Sequence, residues 1–162
     1  MTELIRIYLT TRDQNLTKNF NITEIYEWPY RLSTMSATDR PKANKLAIEA
    51  LTMRTLINAM HAAIRLQSLR DHLNMLYPGE NIYILVTSWL RHDQWEKYRG
   101  RNGFSMHTQG HATDIVPVGE TISRAQLLDD AENFLNNLQG FTKRYPTFIH
   151  HDLRGYEHVT NL

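Results

Sequence analysis

The chain has 162 residues, 41% of them hydrophobic, enough material for one buried core in a single domain spanning 1–162. Lysine and arginine total 18 against 17 aspartate and glutamate, and no basic block or stripe stands out, which argues against a nucleic-acid partner held through its phosphates. No apolar run approaches the roughly 20 residues that cross a bilayer, and MTELIRIYLTTRD lacks the pattern of a secretion signal, so the expectation is a product synthesised in the cytoplasm with no membrane insertion.

LIRIYL, within residues 1–12, alternates apolar and polar and predicts a short edge strand. From Asn19 to Asp39 aromatics mix with turn formers. Pro41 stands where a helix can begin, with Asp39 ahead of it as a candidate cap. Leu46, Ala50, Met53, Ile57, Met60, Ile64 and Leu69 then recur at helical spacing and predict one apolar face. That stretch is long for one helix, and two are expected, broken near Asn58 to Ala62. Tyr77-Pro78-Gly79 stops the run. Asn81 to Val86 is apolar and β-branched, a strand leading into Thr87-Ser88-Trp89-Leu90-Arg91. Arg91 falls just past its end, where a rigid element can present a side chain to a cleft; the competing reading is a surface arginine paired with Asp93 or Glu96. Residues 92–104 are polar with two glycines and read as a loop, in which His92 is expected to be solvated.

The stretch SMHTQGHATD, Ser105 to Asp114, carries the chemistry. His107 and Asp114 form a His-x6-Asp pair of zinc-ligand types, and Gly110 between them lets the backbone double back so that both can converge on one ion. Ser105, two residues before His107, can hydrogen-bond a ligand or a substrate. After the turn at IVPVG, Ser123 and Gln126 resemble a capping box. Leu127, Leu128, Ala131, Phe134, Leu135 and Leu138 follow at helical spacing, and Gly140 is a stop. Asp129, Asp130 and Glu132 fall on the solvated face of that helix. Tyr145-Pro146 turns the chain into a final strand over 147–152, where alternation puts His150 and Asp152 on one face and His151 on the other. His150 is thus the expected third ligand, with the fourth position left to water. Three protein ligands and an open position are the pattern of a catalytic zinc, whereas structural sites are closed by four, usually with cysteine, and this chain has none.

VTSWLR (86–91), SMHTQGHATDI (105–115) and YPTFIHHDLRG (145–155), in this order, resemble the zinc D-alanyl-D-alanine carboxypeptidase family, which includes many phage endolysins of the L-Ala-D-Glu peptidase type. Its pattern runs [ST]-S-G-x-R, S-x-H-x-x-G-x-A-x-D and a late His-x-Asp or His-x-His, and the match covers about Phe20 to Gly155. The resemblance implies an α+β fold of the hedgehog/DD-peptidase kind: a small, mostly antiparallel sheet carrying a zinc site, with helices from 41–76 and 123–139 packed on it. It implies a Zn2+ metallopeptidase acting on the stem or cross-link peptides of peptidoglycan at the cell wall, released through a phage pore partner or carried in the virion. A segment similar to 19–39 docks over the domain in that family, which implies packing roles for Phe20, Ile22, Tyr26 and Trp28. The arginine matching Arg91 holds a substrate carboxylate or carbonyl there.

Two departures stand out. The usual Ser-Gly-Tyr-Arg is Ser-Trp-Leu-Arg here, and Thr147 occupies the position of the Glu or Asp that serves as general base in several relatives. Asp152 is the expected replacement as base. Its competing roles are to orient a ligand histidine or to pair with Arg154; His151 ranks below it as base. The rival reading from another class is a non-catalytic virion or binding protein that keeps the fold.

Overall fold

The computed structural model describes residues 15–26, 39–98 and 100–154. Two helices open the main body, α1 (Asp39–Glu49) and α2 (Met53–Leu76), with Pro41 in the first turn of α1. The break between them falls at residues 50–52 and not near Asn58 to Ala62, through which α2 runs without interruption. Thr52 and Thr55 explain the position. Thr55 N donates to Thr52 Oγ1 at 3.1 Å and Thr52 N to Thr55 Oγ1 at 2.8 Å, a reciprocal cap that satisfies free N–H groups and starts a new helix.

The buried face of α2 also differs from the expected one. Leu56, Ala59, Ala62, Ala63, Leu66, Leu69 and Leu73 face the core, while Met53, Ile57, Met60 and Ile64 are 43–55% exposed. Both stripes have helical period. The alanines let the sheet approach the helix axis closely, and the leucines fill the space on either side.

Among the described residues, four strands form one antiparallel sheet in the order β1-β2-β4-β3: β1 (Tyr83–Ser88), β2 (Ala112–Val118), β3 (Phe141–Arg144) and β4 (Ile149–Asp152). The chain is therefore α+β with a small antiparallel sheet and several helices, as the sequence predicts. β3 was not anticipated: FTKR is short and half basic, and it is a strand because it pairs with β4 as the sheet's edge. Between β1 and β2 the register shifts, Val86 opposing Ile115 and Ser88 opposing Asp114. The extra residue, Thr87, turns its hydroxyl back to Asp114 O at 3.0 Å.

Helix α3 (Asp93–Tyr98) replaces part of the loop expected over 92–104; Asp93 and Lys97, one turn apart, pair across its surface at 3.0 Å. Helix α4 (Arg124–Asn136) starts where Ser123 Oγ accepts from Gln126 N at 3.2 Å, and its Leu127, Leu128, Ala131 and Leu135 are buried. The Gln126 side chain bonds Asp130 at 3.1 Å, so half of the expected capping box is built. Near residue 20, a 3-10 turn (Ile22–Ile25) places Phe20, Ile22 and Tyr26 in the core beside Trp89 and Leu90, the packing roles expected of them, and adds Ile25. Trp28 and the LIRIYL segment lie outside the described residues, among which no helix is long and apolar enough to cross a membrane.

Candidate metal centre

Asp114 and His150 are directly opposed across β2 and β4, so the pleat alone puts both side chains on one face within reach of each other. His107 arrives from a 3-10 turn (Met106–Gln109) that ends at Gly110, whose φ of 75° is left-handed and reverses the chain into β2. One ligand atom from each of His107, Asp114 and His150 lies within 4.8 Å of the others. His107 Nε2 is 3.3 Å from Asp114 Oδ1, and His150 Nδ1 is 2.8 Å from it. Ligand atoms bonded tetrahedrally at about 2.0–2.2 Å stand roughly 3.3–3.6 Å apart, so the trio is close to the spacing a metal ion requires.

The outer nitrogens decide which lone pairs face inward. His107 Nδ1 donates to Trp89 O at 2.8 Å, which leaves the lone pair on Nε2, toward Asp114. His150 Nε2 lies 3.0 Å from Asp152 Oδ2, which leaves Nδ1 for the cluster. A carboxylate behind a ligand histidine is the usual means of fixing ring orientation in metal sites. His107, Asp114 and His150 can therefore hold a metal ion.

Charge supports the same assignment. Burial and the neighbouring Arg91 lower the pKa of His107, keeping it neutral as a ligand must be. Burial opposes charge on Asp114, but His107, His150 and Arg91 hold its carboxyl far below the usual range. Burial also opposes charge on His150, yet hydrogen bonds to Asp114 and Asp152 raise its pKa to about 8. A metal must displace that proton. Zinc affinity is therefore expected to climb from pH 6 to pH 8 by up to roughly tenfold per unit and then level off, since one proton is released. The metal-free protein should show the opposite slope: the contribution of protonated His150 is complete below pH 6.5 and is lost as pH rises through about 8. Chelator-competition titrations and urea unfolding at pH 6, 7 and 8 check the pair; a flat affinity profile would count against it.

A cavity of about 630 Å3 opens in front of the trio, lined by Arg91, Glu96, Arg101, Ser105 and Phe148 among others. Arg91 sits past the end of β1 as expected, with its side chain 11% exposed. It grips Asp114 Oδ2 at 2.7 Å and also meets Glu96 at 3.4 Å. The pairing with Glu96 foreseen for a surface arginine thus occurs, but in the cavity wall. The Oγ of Ser105 is buried at the cavity with no hydrogen-bond partner among the described residues.

Asp152 shares the face of His150, but its side chain is 0% exposed. Arg154 forks onto it, with Nε at 2.9 Å from Oδ1 and Nη2 at 2.6 Å from Oδ2. His151 points to the other side, where Thr142 Oγ1 is 3.1 Å from its Nδ1, and burial followed by Arg65 lowers its pKa to about 4. Thr147 is exposed. His92 pairs with Asp93 at 2.8 Å, apart from the trio. Sequence reasoning missed Glu96 and Arg101 as cavity residues, because their place depends on how α3 and the turn after it pack. The one signal was the i,i+5 spacing that lets one acid face both Arg91 and Arg101. Comparison with known proteins finds no matching family model, no matching curated protein and no matching solved structure.

Proposed function

We propose that this chain is a zinc-dependent peptidase acting on the peptide of bacterial peptidoglycan, as a phage endolysin or virion-associated lysin. The observation that carries the reading is a His-Asp-His trio, three ligands among the described residues, at the floor of an open cavity. The order and spacing of the SMHTQGHATD and FIHHDLRG motifs supply the substrate class by resemblance. Zinc at the trio would supply a Lewis acid that polarises a carbonyl and makes water nucleophilic near neutral pH. The chain's own residues hold that centre in shape. Arg91 fixes the second oxygen of Asp114, Trp89 O fixes the tautomer of His107, and Asp152 fixes that of His150.

The contacts of Asp152 support orientation over proton abstraction, since a carboxylate with no exposed surface and a forked arginine offers nothing to water in the cavity. The test is release of new amino termini from purified cell walls by the zinc-loaded protein. Asp152→Ala is expected to weaken zinc binding by roughly 10–100-fold and to regain most of its hydrolysis at saturating zinc. If kcat stays low in the fully loaded variant, Asp152 is the base.

A second reading, a zinc-holding protein without turnover, draws on Thr147 and on Glu96, the other cavity carboxylate besides Asp114, being held by two arginines. A wild type that holds one zinc and cleaves no wall selects it.

A further inference from the structure

The cavity in front of the trio holds two arginines, and they are not equivalent. Every side-chain nitrogen of Arg91 already donates to a protein oxygen: Nε to Ser88 at 2.9 Å, Nη1 to Glu96 at 3.4 Å and Nη2 to Asp114 at 2.7 Å. Arg101, 47% exposed, is held among the described residues through Nη1, 3.2 and 2.9 Å from the two oxygens of Glu96. Its Nε and Nη2 meet no acceptor among the described residues, and they form the edge of a planar fork that suits a carboxylate.

Glu96 is what makes Arg101 a built element and not a loose surface side chain. Its carboxylate is 1% exposed between the two arginines. Burial opposes its charge, but Arg101 and Arg91 keep its pKa below the ordinary range. The acid therefore anchors both guanidinium groups at all working pH values. Arg91 and Arg101 cancel Glu96 and Asp114, so a divalent ion at the trio would leave the cavity with positive charge in excess. A carboxylate is favoured there over a neutral or cationic group.

We propose that Arg101, and not Arg91, receives a free carboxylate of the peptide substrate. Arg91 then serves as a positioning residue for the ligand Asp114. This rests on the peptidase reading, and deepens it by naming the group recognised.

The experiment compares a synthetic wall stem pentapeptide with the same peptide carrying every carboxylate as its amide, using zinc-loaded protein. Wild type is expected to prefer the free acid. Arg101→Met should erase that preference through KM, by roughly tenfold to a hundredfold, the range for a lost charge-assisted hydrogen bond. Arg101→Lys, which keeps the charge and loses the fork, should recover part of it and so separates recognition from misfolding. Arg91→Lys should instead weaken zinc binding and depress both peptides alike. Retention of the acid preference in Arg101→Met, or equal loss on acid and amide, overturns the assignment and leaves the peptidase standing. No turnover of either peptide or of whole walls by zinc-loaded wild type removes the peptidase reading and this inference together.

Discussion

Wild-type protein is expected to carry one zinc per chain, and His107→Ala and His150→Ala to carry none after dialysis at micromolar zinc. Each variant removes one of three protein ligands, so the loss in affinity should exceed the roughly 10–100-fold that outer-shell partners control. The measurement is metal content per chain, with unfolding followed in parallel. Zinc that binds only the folded state stabilises it by about 4 kcal/mol at a thousandfold excess over its Kd. Added zinc should thus raise the unfolding midpoint of wild type and leave both variants where they stand in chelator. Zinc bound equally by wild type and His107→Ala would end the metal-centre reading, because His107 is the member whose tautomer and burial leave it no other evident task.

Gly110→Ala is expected to be strongly damaging for the addition of a single methyl group. Gly110 has φ 75°, a left-handed conformation that costs a residue with a Cβ about 1–2 kcal/mol. The added Cβ would also lie 2.5 Å from the carbonyl oxygen of Thr55, a backbone atom of α2 that cannot step aside like a flexible side chain. The two effects together should destabilise the fold by more than about 2 kcal/mol, read as a shift in the urea midpoint at unchanged slope. Because Asn58 Nδ2 ties the same turn to α2 through Gln109 O at 2.8 Å, the turn cannot relax without carrying His107 with it. Zinc affinity should therefore fall as well. A variant with wild-type stability and affinity would mean that the turn is not wedged against α2 as described.

Short-range patterns settled a large part of this molecule. The His-x6-Asp pair with Gly110 inside it, the alternation that sets His150 and Asp152 on one face of β4, and the placement of Arg91 past β1 all follow from spacing and turn chemistry over about ten residues. So do α4 with its Ser123 cap and the stop at Tyr77-Pro78-Gly79. Tertiary structure alone decided which stripe of α2 is buried: Met53, Ile57, Met60 and Ile64 repeat with the same period as Leu56, Ala59, Ala63 and Leu66. Period shows that a face exists; the sheet selects the one whose alanines allow close approach. The register that opposes Asp114 to His150, the pairing that turns Phe141–Arg144 into a strand, and the fold of α3 that brings Glu96 between Arg91 and Arg101 also join residues distant in the chain or set by packing. No local pattern encodes such contacts, because their energy comes from surfaces that meet only after the elements have formed.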